Sequence, residues 1–94
     1  MENLKMPGAQ LINELKTHIE RTVQSHACEA GLTLGQIEQA SGLIIQGKTG
    51  QNVWDMAVAT LVIELVKEGR LRSNVPIERL NTISVAQALL WPTS

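Results

Sequence analysis

Residues 53–71 read VWDMAVATLVIELVKEGRL, and this stretch decides the fold. Trp54, Val58, Leu61, Val62 and Leu65, joined by Ala57, recur at the spacing that lines one face of a helix. Val53, Met56, Ala59 and Ile63 lie largely on the other side, which leaves only a thin polar face. A helix apolar around most of its circumference is normally enclosed by protein. Asn52 suits an N-cap, and Asp55 follows near the positive end of the helix dipole. At the other end Lys67 occupies the last turn and Gly69 suits a left-handed cap. Several residues are β-branched, but a span of roughly four turns is too long for an ordinary strand. The rest of the chain must therefore be arranged to cover this helix.

Ninety-four residues make one compact domain. Hydrophobic residues form 44% of the chain, with no Phe or Tyr and two Trp, so aliphatic side chains must supply the core. A formal net charge of −1 excludes a nucleic-acid binder that is basic over its whole surface, but leaves room for a local basic patch. Cys28 is the single cysteine and has no internal disulfide partner, which points to a reducing, cytoplasmic compartment. Asp55 and Glu64 interrupt the longest apolar run before it reaches the roughly 18 residues of a membrane span.

Outward from the central helix, Ile12, Leu15, Ile19, Val23 and Ala27 predict an amphipathic helix that starts near Pro7 and ends near Gly31. Its polar face holds Asn13, Glu14, Lys16, Thr17, Glu20, Arg21 and Gln24. Thr33 and Gln36 form a capping box that opens a short helix. Ile37, Ala40 and Leu34 face inward from that helix, and Gly42 closes it. After Gly69, Leu71 and Arg72 suit a short strand, Val75 to Leu80 a loop entering one helical turn, and Val85 to Leu90 a last short helix that Pro92 stops.

Residues 42–49, Gly42-Leu43-Ile44-Ile45-Gln46-Gly47-Lys48-Thr49, match the phosphate-loop pattern G-x-x-x-x-G-K-[ST] letter for letter. That motif works between a strand and a helix of a parallel sheet. Here a helix precedes it, large aliphatics fill its variable positions, and the chain lacks strands for such a sheet, so nucleotide hydrolysis is not expected. His18, His26 and Cys28 do not share a face and no second ligand cluster exists, so no metal or cofactor is expected. Cys28 follows Ala27 and precedes Glu29, with no cation beside it to activate the thiol, and no nucleophile–base constellation is visible. The chain is not read as an enzyme.

A helix, a capped short helix, a connection, a long helix and then Glu68-Gly69-Arg70-Leu71-Arg72 resemble the winged helix-turn-helix family of DNA-binding domains. The stretch from Leu32 through Ile37 to Ser41-Gly42-Leu43 is similar to that family's turn-flanking helix. Leu65 to Leu71 is similar to its exit from the recognition helix into the first wing strand. Together these span roughly residues 9–73. The resemblance implies a mainly α, small winged-helix-like helical domain with a minimal or missing β-wing. On that reading residues 1–6 are a disordered N-terminus, 7–73 the core, and 74–94 a C-terminal loop and short helix used for packing or dimerisation.

It also implies a transcriptional regulator that binds double-stranded DNA as a homodimer. Lys48, Gln51 and Asn52 would meet DNA at the N-terminal end of the long helix, and Arg70 and Arg72 from the wing. Val85, Leu89, Leu90 and Trp91 would pair with the first helix of a second copy, because so small a domain struggles to bury them alone. The alternative for this tail is docking on its own central helix. Three departures from the family pattern accompany the resemblance. The connection between the two family helices is long, and no second wing strand follows Asn74-Val75-Pro76. The outward face of the long helix, Asn52, Asp55, Met56, Ala59, Thr60 and Ile63, is poorly suited to reading bases. The other functional class is accordingly a protein-interaction module, an accessory or inhibitory protein docking through Met56, Ala59 and Ile63.

Overall fold

The computed structural model describes residues 8–43 and 48–93, with the side chains of 48–54 outside that description. Three helices, α1 (Gly8–Ser25), α2 (Leu34–Ser41) and α3 (Lys48–Lys67), precede two short strands, β1 (Leu71–Ser73) and β2 (Leu90–Pro92). The fold is mainly helical with a minimal sheet. The N-terminal residues 1–6, expected to be disordered, lie outside the described residues.

The local signals act as their chemistry requires. Thr33 Oγ1 accepts from the Gln36 amide at 3.2 Å while Gln36 Oε1 accepts from the Thr33 amide at 2.9 Å, which satisfies two helix-end donors at once. Gly42 closes α2 in the left-handed conformation, and the Leu43 amide reaches back to the Glu38 carbonyl at 3.1 Å. Gly69 does the same for α3, with φ of 77° and the Arg70 amide donating to the Leu65 carbonyl at 2.9 Å. The start of α3 differs from the expectation. The helix already includes Lys48, so Asn52 lies inside it and does not cap it.

The C-terminal region departs most from the sequence reading. Val85 to Leu90 does not continue as a helix: a single 3-10 turn, Ser84–Gln87, gives way to an extended Ala88 and then to β2. β2 supplies the second wing strand that no residue near Pro76 could supply. It pairs antiparallel with β1, Leu71 opposite Pro92, Arg72 opposite Trp91 and Ser73 opposite Leu90. Leu90 also exchanges both backbone hydrogen bonds with Leu32, each at 2.9 Å, so β2 lies between β1 and the segment that joins α1 to α2. Asn74 finishes the ladder, accepting the Leu89 amide on Oδ1 at 2.8 Å and donating its own amide to the Leu89 carbonyl at 3.1 Å.

The core is aliphatic. Ile19 and Val23 of α1, Ile37 of α2, Val58, Val62 and Leu65 of α3, and Leu71, Val85, Ala88 and Leu90 are all sealed from solvent. Each large member contributes about 1.5–3 kcal/mol on burial. α3 packs against α1, β1 and the Ser84–Gln87 turn, so the chain encloses its own central helix. This corrects the dimerisation argument. Val85 and Leu90 are interior residues of one chain, while Leu89 and Trp91 are half-buried against it. The apolar tail that was to demand a partner is consumed by the chain's own helix and sheet.

Candidate functional site

The buried arc of α3 is wider than its sequence pattern suggested. Ala59 and Ile63, expected to face outward as a partner surface with Met56, are buried. Ile83 and Ala86 of the C-terminal segment lie over that side, lining a cleft with Ala59. Among the described side chains of α3, a narrow stripe of Met56, Thr60, Glu64 and Lys67 remains outside. Thr60 turns its hydroxyl back to the Met56 carbonyl at 2.9 Å. The stripe carries one acid and one base and no pair of groups able to read a base edge.

The residues assigned to DNA fall into three groups. Lys48, Gln51 and Asn52 lie in the first turn and a half of α3, and their side chains are outside the described residues. Arg70 is engaged within the chain. Its Nε and Nη2 donate to Glu20 Oε1 at 3.0 and 2.7 Å, Nη1 to Glu68 Oε1 at 3.3 Å, and Nη2 to Thr17 Oγ1 at 3.4 Å. Glu20 raises the guanidinium's pKa further. Glu68 is shared with Lys16, whose ammonium also lies 3.8 Å from Glu64. Lys16 is only 5% exposed, although the helical pattern placed it on the polar face of α1. Its aliphatic stem runs along apolar surface and its charge ends among carboxylates. The Lys16 and Arg70 bonds hold the Glu68 carboxyl below its ordinary range. The network fastens α1 to the C-terminal end of α3. Assignment of Arg70 to phosphate is thereby corrected, since its donors are already committed to carboxylates.

Arg72 is different. It is exposed on β1, and its guanidinium lies 5.9 Å from the Trp91 ring centroid. Trp91 donates its indole N–H to the Glu29 carbonyl at 3.1 Å and packs over Gly31, which has a φ of 83°. The wing is thus anchored to the turn between α1 and α2, with Arg72 presented on its outer surface.

The phosphate-loop pattern is only partly described. Gly42 is the C-cap of α2, residues 44–47 lie outside the described residues, and Lys48 and Thr49 begin α3. A helix therefore enters the motif where a phosphate loop needs a strand. His18 Nε2 lies 2.8 Å from the Ser41 carbonyl, His26 Nδ1 lies 3.0 Å from the Thr22 carbonyl, and Cys28 is exposed with its thiol 3.4 Å from the Gly31 carbonyl. The described residues bring no three metal-ligating side chains together.

One cleft was not visible in the sequence. It encloses about 410 Å³ between α2, α3 and the segment before the last 3-10 turn. Leu34, Ala59 and Ala86 supply apolar wall, and Glu38 and Asp55 supply carboxyl groups. Glu38 is 8% exposed, and its Oε2 has no hydrogen-bond partner. Burial, then its hydrogen bond and charge contact with Asp55, push the Glu38 carboxyl up to about 7. Glu38 therefore keeps its proton over a range in which ordinary carboxylates are fully charged. Ala40, the residue expected to face inward at this end of α2, is exposed instead. The only hint available beforehand was that Glu38 sits directly beside Ile37 on the helix.

Compared with models of known protein families, with characterised proteins and with solved structures, the chain matches none. No helix among the described residues is long and apolar enough to cross a membrane.

Proposed function

We propose that the chain is a small DNA-binding module of winged-helix type, a cytoplasmic transcriptional regulator that meets duplex DNA through the first turns of α3 and the outer face of the β1–β2 pair. The observation that carries this reading is that Lys48, Thr49, Gln51 and Asn52 all lie within α3 (Lys48–Lys67). Recognition helices contact base edges with their N-terminal residues. Lysine, threonine, glutamine and asparagine are residue types that bond phosphates and base edges, and free amides at a helix start favour phosphate. Arg72, exposed on the strand that follows the helix, adds a wing contact. The Leu32–β2–β1 arrangement supports the same reading, because it places two paired strands where the family's wing stands. Glu64 in the exposed stripe repels phosphate, so the contact is confined to the N-terminal turns.

Selection from a random duplex library at physiological salt tests the proposal. A recovered motif should bind with an affinity that falls steeply with salt. Lys48→Ala and Arg72→Ala should each lower the salt slope by about one unit. Arg70→Ala should leave the slope unchanged, because that guanidinium is spent on Glu20 and Glu68. Recovery of no salt-dependent binder, or equal slopes for wild type and the Lys48 and Arg72 variants, refutes the reading.

A further inference from the structure

Two arginines follow α3 into the wing, and the chain holds them differently. Arg70 directs its donors to Glu20, Glu68 and Thr17. Among the described residues no carboxylate pairs with Arg72. Arg72 has an aromatic ring instead. The strand register sets it directly opposite Trp91, so both side chains leave the same face of the sheet, and the guanidinium carbon lies over the ring at 5.9 Å from its centroid. That ring is fixed from two sides. Its indole N–H donates to the Glu29 carbonyl at 3.1 Å. It also lies against the buried Gly31, where an added Cβ would come within 3.0 Å of Cε2 and Cζ2. An exposed arginine thus sits over an aromatic surface that cannot turn away.

We propose that Trp91 is the positioning residue of the wing contact: its fixed indole face carries the Arg72 guanidinium and aims the guanidinium's N–H groups at a backbone phosphate of the duplex. This rests on the DNA-binding reading above and names how one of its contacts is prepared. A guanidinium over an aromatic ring meets it through its flat face. Its five N–H donors lie in the guanidinium plane, so the fork that matches two phosphate oxygens stays free. The ring also narrows the rotamers of Arg72 before DNA arrives. A long exposed side chain loses rotamer freedom when a partner immobilises it, and one already held on a ring loses less. That difference appears as affinity, although Trp91 itself touches no phosphate.

A ring that only braced the turn between α1 and α2 would make the same contacts with Gly31 and Glu29, so the test must couple Trp91 to Arg72. The two side chains differ in how their loss is felt. Removing Arg72 removes a charge, and with it about one unit of salt slope. Removing the ring keeps the charge. Trp91→Leu should therefore weaken duplex binding about two- to tenfold, the value of immobilising one long side chain, while the salt slope stays unchanged. In an Arg72→Ala background the same substitution should change affinity by less than about twofold, because the side chain that the ring serves is gone.

The experiment is a double-mutant cycle on the full chain. Binding of the fluorescein-labelled duplex recovered by the library selection is followed by anisotropy at several salt concentrations, and circular dichroism checks that each variant is folded. If leucine at this position unfolds the chain, Trp91→Phe, with a smaller ring and no indole N–H, takes its place in the cycle. Proton magnetic resonance of the free chain gives a second reading that needs no DNA. The Arg72 side-chain methylene protons should be shifted upfield by the ring current of Trp91, and the shift should vanish in Trp91→Leu. Three results overturn the inference: Arg72 protons at random-coil positions in the free wild type, wild-type affinity in the Trp91 variant, or a loss of affinity equally large with and without Arg72. Each of these leaves duplex binding by the wild-type chain standing. A wild-type chain that binds no duplex removes that reading, and this one with it.

Discussion

Replacing Glu38 by glutamine should change how stability depends on pH, and the direction follows from the cleft. In the unfolded chain the Glu38 carboxyl titrates near its ordinary 4.5, whereas in the fold it is pushed up to about 7. Between those values the folded state holds more protons than the unfolded state, so stability falls as pH rises. The contribution of neutral Glu38 is fully present below about 4.5 and lost as pH passes through about 7. At about 1.4 kcal/mol per pKa unit the shift from 4.5 to about 7 corresponds to roughly 3–4 kcal/mol. Glutamine keeps the shape and a donor toward Asp55 without acquiring charge. The variant should match wild type near pH 4.5 and exceed it by about 3 kcal/mol near pH 8. Urea denaturation followed by far-ultraviolet circular dichroism at pH 4.5, 6 and 8 measures this difference. Glu68, whose carboxyl is held low by Lys16 and Arg70, contributes with the opposite sign but appears equally in both proteins. A wild-type-minus-variant difference that stays constant to within about half a kcal/mol across this range would show that Glu38 carries no raised pKa.

Other predictions concern the frame that holds the cleft and the wing. Leu61→Ala should destabilise by about 2–5 kcal/mol in the same denaturation assay, the range for a buried leucine that leaves a cavity; a change typical of surface sites would remove Leu61 from the core. Gly31→Ala should cost about 2 kcal/mol or more, because φ is 83° and an added Cβ would sit 3.0 Å from both Leu89 and the Trp91 ring. Indole fluorescence should report the displaced ring, and an unchanged melting temperature refutes the packing. A chain ending at Thr82 loses Val85, Ala88, Leu90 and the whole of β2, so it should unfold, where a tail used only for pairing copies would leave a folded monomer. Circular dichroism and sedimentation equilibrium on the truncated chain separate those outcomes.

The features legible in the sequence are those whose physics is local. The Thr33–Gln36 capping box, the left-handed glycines at Gly42 and Gly69, and the long apolar period of α3 each depend on residues within a few positions of one another, and each forms where the pattern indicates. The apolar circumference of α3 also foretold that the chain must wrap it. The tertiary structure decided what does the wrapping. β2 is three residues long, and its strand character comes from pairing with β1 and with Leu32, remote partners that no window around Leu90 contains. That pairing turned a supposed dimer tail into core, and the segment before β2 brings Ile83 and Ala86 to the side of Ala59. Periodicity assigned Lys16 and Ala40 wrongly and overlooked Glu38 for a related reason. A long stem can lie along apolar surface while its charged end meets a carboxylate, and a carboxyl can be buried when it keeps its proton and hydrogen-bonds to Asp55 on another helix. The cleft exists because the C-terminal segment returns to α2 and α3, and only three-dimensional closure brings Glu38, Asp55 and Ile83 to one place.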